Sequence, residues 1–460
     1  MRTSAWAEMQ WRCRHARCVL VAVCLVLGQR SVCHGQVSFQ SAVTLALVNS
    51  PQLKSAQQDM DKARAGLSVM KDIFVPSVVT TGGAGDSYGI TLTVPTIFTV
   101  NAQSLIFSFQ QRAYIHAAHS DIQAAQLALA EARNQVQEDT VITYISLDEA
   151  QNSADALNEQ YGFAQKLVAI VQDRLHAGLD SDLDLLKAER EATQIRLQEL
   201  QMEDNIVSLR DHLADLTGLP RGELTTQPES VPAFPNIETI EEDLKQNYSD
   251  SPGVLAAEAN AKAKLDRAKG DAEYTWRPIV SFGAQYGRVS PINNVSDFYN
   301  LHGNYNTANV GFQVQLPILD KVRKAAAQQA IADALRAKQD AANLRGQEIE
   351  GRQKLARSIP ELETKADLAE LDYKIAQNQL QSTLIQLRAA NGAPPMTPKE
   401  EQSAHIEERQ KYLDYLDAQL QAAKSEVYFL RQTGQLGDWV QSPVSLPSES
   451  GEKDGTPASH

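Results

Sequence analysis

Three acidic residues alternate along one short stretch of the chain, Asp180, Asp182 and Asp184, and His176 lies just before them. Clustered carboxylates and an imidazole can bind a metal ion or carry out acid–base chemistry. No other His and no Cys is spaced to complete such a site, so we expect no metal, no cofactor and no enzymatic activity. The same residues can instead cap a helix in contact with solvent, or form an acidic ring where several copies of the chain meet.

The acidic stretch lies between two long segments that the sequence predicts to be helical. Residues 112–177 contain no Pro and a single Gly, and residues 179–217 contain neither. Gly178 can adopt the left-handed backbone that ends a helix, and Ser181 can cap the next helix. We therefore predict a sharp turn at the tip of a helical hairpin, whose first helix of about 66 residues spans roughly 100 Å.

The composition argues against two classes of protein. The 460 residues carry a formal net charge of −14, which is unfavourable for a nucleic acid partner. The mean hydropathy is −0.34, too polar for a bundle of membrane helices. After residue 28, no apolar run approaches the roughly 18 residues that a spanning helix needs.

The first 35 residues have the features of an export signal. Residues 1–35 combine a basic start, a short apolar core and a cleavage site with small residues before Gln36. An uncleaved anchor helix and lipid attachment at Cys33 are the alternatives. All four cysteines fall within this segment, so the exported chain is expected to contain no disulfide.

The chain contains an internal repeat. Five short motifs occur twice in the same order, and the spacing between partners grows steadily along the chain. The paired motifs are 49–53 with 250–254, 74–76 with 276–278, 105–107 with 317–319, 174–178 with 388–392, and 216–218 with 432–434. The sequence thus predicts two copies of one unit, 36–219 and 238–435, joined by a linker at 220–237 and followed by a disordered tail at 436–460.

Each copy also contains a segment with the pattern of β-strands, at about 77–107 and about 279–319. In the second copy, apolar and polar residues alternate strictly over 279–286 and 308–316. The apolar face carries Val280, Phe282, Val310 and Phe312, among others. This period of two is typical of membrane β-barrel strands, for which these four side chains would face lipid. A half-buried soluble hairpin is the alternative.

Taken together and in order, these motifs resemble the TolC family of outer membrane efflux proteins over essentially the whole exported chain. The marks are Ser-Pro-Gln-Leu at 50–53, Arg-x-x-x-Gly-Leu at 174–179 followed by Asp184, and Leu-Thr-Gly-Leu at 216–219. The resemblance implies a mainly α-helical protein whose long hairpins form a periplasmic α-barrel. It also implies a homotrimer in which each subunit adds four strands to a twelve-stranded β-barrel in the outer membrane.

The resemblance further implies a passive outer membrane exit duct of a tripartite efflux or type I secretion system. In this family the hairpin tips dock the periplasmic adaptor of an inner-membrane pump. The residues at the two tips are Arg174, Gly178, Leu179, Arg388 and Gly392, and the residues at the tunnel mouth are Asp180, Asp182 and Asp184. The alternative function is that of an exported structural coiled-coil protein that forms no pore.

The sequence departs from the family pattern in the second copy. No Leu follows Gly392 and no Asp matches Asp184. In the drug-exporting proteins of this family, an Asp at the place of Asp184 contacts a Tyr and an Arg near the second Gly. The matching positions here are about Ala389 and Pro394, so the usual network that closes the tunnel is in doubt. Pro360 lies inside the second long helical segment, where we expect it to kink or split the helix.

Overall fold

The computed structural model describes residues 35–83, 96–221, 224–235, 250–273, 276–289, 306–388 and 397–442. The strands within these ranges are β1 (Gly35–Val37), β2 (Ser77–Gly82), β3 (Thr96–Phe107), β4 (Leu224–Thr226), β5 (Ile279–Val289) and β6 (Asn306–Gln315). The helices are α1 (Phe39–Asn49), α2 (Pro51–Asp72), α3 (Phe109–His176), α4 (Asp182–Thr217), α5 (Pro252–Ala272), α6 (Lys321–Arg388), α7 (Pro398–Thr433) and α8 (Leu436–Val440). Among the described residues, no helix combines the length and the apolar character required to cross a bilayer. The predicted export signal, except for Gly35, lies outside the described residues, as does the stretch around Gly392.

Four strands form one antiparallel sheet in the order β2–β3–β5–β6. Val78 pairs with Ala102, Ala102 with Ala284, and Ala284 with Val310, so one face of the sheet is in register across all four strands. The strands of the two predicted copies meet where β3 pairs with β5. As a result β2 and β6 lie at the two edges of the sheet. The predicted contribution of four strands per chain is confirmed.

The helices form a wall with α3 at its centre. Near the sheet α3 packs against α2 and α5, where the Gln111 side chain donates to the Met70 carbonyl at 2.7 Å. Towards the hairpin tip α3 packs against α4 and α7, and there the Gln160 side chain donates to the Ile406 carbonyl at 3.0 Å. The second long helix, α6, packs against α5 and α7 in turn. The helix α3 is therefore flanked by two pairs of shorter helices, α2 with α4 and α5 with α7, and α6 is flanked by the pair α5 and α7. Within each pair, one helix is placed beyond the other along the wall.

The two helical hairpins have the same dimensions. The long helices α3 and α6 contain 68 residues each. The return helices α4 and α7 contain 36 residues each. At 1.5 Å per residue, each long helix spans roughly 100 Å. These equal lengths support the predicted organisation in two copies, which remains a proposal.

A hydrophobic core halfway along α3 joins distant parts of the chain, and we call it the waist. It is built around Phe39, Tyr144, Phe234 and Trp439. The ring centroids of Phe39 and Trp439 lie 5.4 Å apart, and Trp439 stacks on Phe234 at 4.8 Å. The Tyr144 hydroxyl donates to the Val37 carbonyl at 2.8 Å and accepts from the Gln227 amide at 2.7 Å. Burial of Tyr144 thus brings the strands β1 and β4 together in a parallel pair.

Two segments outside the predicted copies, the linker and the start of the tail, contribute to the waist. The predicted linker 220–237 contains β4 and the core residue Phe234. The predicted disordered tail begins with α8, whose Leu436, Trp439 and Val440 are buried. The prediction of disorder from residue 436 was therefore wrong. Burial of these three apolar side chains stabilises an ordered helix, although the residues that follow are polar.

Prolines have different effects in two helical segments. Residues 39–72 form two helices, α1 and α2, which meet at Ser50. The backbone of Ser50 has ψ of 128°, because Pro51 disfavours a helical backbone at the preceding residue. Of the two effects predicted for Pro360, a split of the helix was wrong, since α6 is one continuous helix, and a kink stays a prediction. The neighbouring Ile359 is completely buried, and its packing offsets the hydrogen bond that Pro360 cannot donate.

Candidate functional site at the hairpin tip and the sheet

The first hairpin tip is a tight glycine turn. The Leu179 amide donates to the Arg174 carbonyl at 2.8 Å and the Gly178 amide to the Leu175 carbonyl at 2.9 Å. This pair of bonds is the Schellman motif that ends α-helices. Gly178 has φ of +73°, and no atom lies within 4 Å of the position that a β-carbon would occupy there. The turn therefore requires glycine for its backbone conformation and not for lack of space, as the sequence predicted.

Apolar side chains are exposed at this tip. The Leu179 side chain directly after the turn is 66% exposed. Leu183 and Leu186 on the first turns of α4 are also exposed. Apolar side chains grouped on a convex tip are typical of a surface that another molecule covers.

Asp180 joins the two hairpins. Its carboxylate accepts from Arg174 Nε at 3.0 Å and from Arg174 Nη2 at 3.2 Å, a two-point contact within the first tip. Lys399 Nζ, at the start of α7 in the second hairpin, lies 3.4 Å from the same carboxylate. The hydrogen bonds from Arg174 and the positive charge of Lys399 hold the pKa of Asp180 below its ordinary value. With a side chain only 8% exposed, Asp180 is an ion-paired residue and not a solvated one.

The other two acidic residues of the tip have different surroundings. The Asp184 carboxylate accepts from the Ser181 amide at 3.1 Å, while the Asp184 amide donates to the Ser181 hydroxyl at 3.3 Å. This reciprocal capping box starts α4, and its hydrogen bonds lower the pKa of Asp184. Asp182 is exposed in the first turn of α4. Across the described residues, no group of three or more His, Cys, Asp or Glu side chains is arranged to hold a metal ion.

The sheet has one apolar and one polar face. The strand register places Val280 opposite Val314 and Phe282 opposite Phe312, with Phe rings 5.6 Å apart. The side chains of Val310 and Phe312 are 74% and 71% exposed. The polar face is formed in register by Asn101, Gln103, Gln285, Asn309 and Gln313. A two-faced sheet with its apolar side uncovered matches a strand set that lies between lipid and water.

Within the described residues, both lateral edges of the molecule lack a packing partner. Beyond the edge strands β2 and β6, the helices at the outer sides of the wall are α2 and α4 on one side and α6 on the other. The exposed apolar side chains of α4 are Leu183, Leu186, Leu197, Leu200 and Val207. Those towards the end of α6 are Leu368, Leu371, Ile375 and Ile385. Within each helix, successive members of this set are separated by three, four or seven residues or by a sum of these numbers. This is the heptad spacing of helices that pack side by side.

The second tip is only partly described. Arg388 is the last residue of α6, and Gly392 lies outside the described residues. Lys399 and the heptad series of α4 and α6 did not emerge from the sequence interpretation. The heptad series was visible in the spacing of the leucines, whereas nothing near Lys399 in the sequence indicates its contact with Asp180.

Comparison with known proteins finds similarity to bacterial outer membrane channels. Residues 42–219 match the family model described as outer membrane efflux protein. The chain is 23% identical over 289 residues to the cobalt-zinc-cadmium resistance protein CzcC of Cupriavidus metallidurans. That stretch is 62% of this chain and 64% of CzcC, less than two thirds of that relative.

Solved structures show the same fold. The CmeC outer membrane channel of Campylobacter jejuni superposes with a TM-score of 0.66 at 17% identity, covering 86% of this chain and 85% of CmeC. The outer membrane protein VceC of Vibrio cholerae superposes with a TM-score of 0.63 at 18% identity, covering 86% of this chain and 96% of VceC. The open-state MtrE channel of Neisseria gonorrhoeae gives a TM-score of 0.59 at 15% identity, covering 87% and 89% of the two chains.

Proposed function

We propose that this chain, whose residues 42–219 match the outer membrane efflux protein family, is the outer membrane exit duct of a tripartite efflux or type I secretion system. The observation that carries the proposal is the continuity of a two-faced sheet with a helical wall of roughly 100 Å. The sheet lines a pore through the outer membrane, and the wall extends that pore into the periplasm. The duct itself is passive, and a separate inner-membrane pump supplies the energy.

The duct is a homotrimer. Four strands are too few to close a membrane barrel, for which about eight is the usual minimum. Open sheet edges cannot face lipid, so β2 of one subunit pairs with β6 of the next. The heptad series on α4 and α6 make the same head-to-tail contact along the wall. Three copies closed in this way provide twelve strands around one channel.

The tips dock a periplasmic adaptor. Leu179 is exposed beside a turn whose conformation is fixed by Gly178, and burial of such a side chain contributes about 1–3 kcal/mol per site. The second tip offers no Leu after Gly392, so the first tip binds the adaptor more strongly. The export signal is removed before assembly, and the exported chain consists of two copies, 36–219 and 238–435.

The pore is tested in planar lipid bilayers. Purified protein should give discrete conductance steps, and the unheated sample should migrate on a gel differently from the heated one, as closed barrels do. An absence of conductance together with identical migration would favour the pore-free coiled-coil alternative.

Docking is tested with single cysteines at Leu179 and Ala393 in a chain whose own cysteines all precede Gly35. The adaptor that is encoded with the pump should crosslink more efficiently to the cysteine at position 179. Crosslinks from position 393 alone would refute the role of the first tip. The matched control is a cysteine at Ser208 in α4, at mid-wall and far from either tip.

A further inference from the structure

Trp276 occupies an unusual position between the wall and the sheet. It lies between the end of α5 and the start of β5, and it has φ of +61°. Among the described residues, it is the one non-glycine residue with a positive φ. Its backbone amide donates to the Pro317 carbonyl at 3.1 Å, which fixes it against the segment between β6 and α6.

Little of the Trp276 side chain is buried, so packing does not offset the cost of its backbone conformation. A left-handed conformation costs an ordinary L-residue roughly 1–2 kcal/mol, and glycine would avoid the cost. The indole is 66% exposed, so packing within the chain does not account for a large aromatic residue here. Backbone strain of this kind persists only where the surrounding structure enforces it, and it clusters at functional sites.

A neighbouring subunit does not account for the exposure either. Trp276 precedes β5, which is hydrogen-bonded to β3 on one side and to β6 on the other. It therefore lies away from the lateral edges, in contrast to the exposed Leu319 and Val322 beside the edge strand β6. What remains is a surface that faces either the lipid or the lumen.

Basic residues lie at the same level as Trp276. Arg277 follows it directly, with its guanidinium 4.6 Å from the centre of the Phe109 ring and an ion pair of 3.0 Å to Glu273. Lys321 and Lys324 are exposed at the start of α6. Exposed ammonium groups beside apolar side chains complement a layer of anionic phosphate headgroups above hydrocarbon.

We propose that Trp276 anchors the chain in the headgroup layer on the wall side of the membrane and so sets the depth of the sheet in the bilayer. The proposal rests on the proposed function, because it requires β5 to cross a membrane. The indole is suited to this layer since its ring is apolar and its N–H group is polar, which is why Trp is enriched at membrane interfaces. The binding partner is the phospholipid bilayer surface.

The test uses the fluorescence of Trp276 itself. Trp6 and Trp11 fall in the predicted export signal, so Trp276 and Trp439 are the remaining tryptophans. Trp439 is buried in the waist, and the 35 residues from Phe109 to Tyr144 place that core roughly 50 Å from the sheet. The protein and its Trp276→Phe variant are reconstituted in phosphatidylcholine–phosphatidylglycerol vesicles with and without brominated acyl chains. Their difference gives the signal of Trp276 without altering the waist.

Bromine close to the headgroup should quench the Trp276 signal more than bromine deep in the bilayer, and aqueous iodide should quench it little. Strong quenching by iodide without quenching by bromolipid would place the indole in the lumen and overturn the anchor, while conductance in the same vesicles would leave the proposed function intact. A failure to insert or conduct would overturn both. Trp439→Phe provides the complementary variant, in which the full bromolipid effect should remain.

Discussion

Glu426 on α7 allows a quantitative test of how charge is accommodated inside the wall. Its Oε2 atom is buried, and no residue in the described part of the chain gives that atom a hydrogen bond. Burial, with a smaller contribution from the negative charge of Glu363, raises the pKa of Glu426 from its ordinary value of 4.5 to about 7. Since α7 lies between α3 and α6, the carboxyl group is inside the wall and not at a lateral edge.

The raised pKa of Glu426 determines whether the folded state gains or loses stability as the pH rises. In the unfolded chain Glu426 ionises near pH 4.5, whereas in the folded chain it holds its proton up to about pH 7. The folded state therefore loses stability as the pH rises between these values, and above pH 7 the full loss is present. A shift of this size corresponds to about 3 kcal/mol at most, and the water that reaches part of the side chain reduces the figure to about 1–2 kcal/mol.

Glu426→Gln keeps the shape of the side chain and removes the charge. We expect the variant to unfold at a higher temperature than the parent at pH 8 and at nearly the same temperature at pH 4.5, as followed by helical circular dichroism in detergent. For a chain of this size the gain at pH 8 amounts to about 1–4 °C.

The matched control is Glu407→Gln, an exposed residue on the same helix, which should change neither midpoint. Equal stabilisation by Glu426→Gln at both pH values would refute the reasoning, because an uncharged packing effect does not depend on pH.

Three further predictions concern the sheet and the first tip. Phe312→Arg should impair folding into vesicles by about 2–4 kcal/mol more than Gln313→Arg, because only the first places a charge against lipid; equal tolerance would contradict the assignment of the faces. Gly178→Val should reduce adaptor crosslinking without affecting trimer formation, since a β-branched residue resists the φ of +73°; unchanged crosslinking would mean that the turn is not required. Asp182→Asn should weaken the cation preference of the channel in planar bilayers more than Asp180→Asn, because Asp180 is already neutralised by two basic groups; the opposite order would argue against an acidic ring that includes Asp182.

Local rules explain why the first tip could be predicted. A glycine after a helix and a serine before an acidic residue fix the backbone over only a few residues, and the left-handed Gly178 and the capping box of Ser181 and Asp184 are both present. The alternation along β5 and β6 is equally local, and their register places the apolar residues of both strands on one face of the sheet. That this face contacts lipid stays a prediction. The contact of Lys399 with Asp180 depends instead on how the two hairpins are staggered, which no short pattern specifies.

The waist was not predicted because it, too, depends on contacts between residues far apart in the sequence. Leu436, Trp439 and Val440 stand beside a Ser- and Pro-rich tail, and their composition alone suggested disorder. They are ordered because Phe39 and Phe234, far away in the sequence, supply the surfaces against which they pack. Pro360 is a related case, since the packing of Ile359 keeps intact a helix that the local rule predicted to break.

The composition of the waist also dictates an order of events during biogenesis. Phe39 lies near the start of the described residues, Tyr144 and Phe234 lie further along the chain, and Trp439 belongs to the last described stretch. Trp439 closes the ring cluster from one side, so Phe39 and Phe234 remain uncovered until synthesis has passed residue 439. Each helical hairpin can form early, but the waist is completed last. A chain that ends before residue 436 would therefore keep an apolar gap at the middle of its wall.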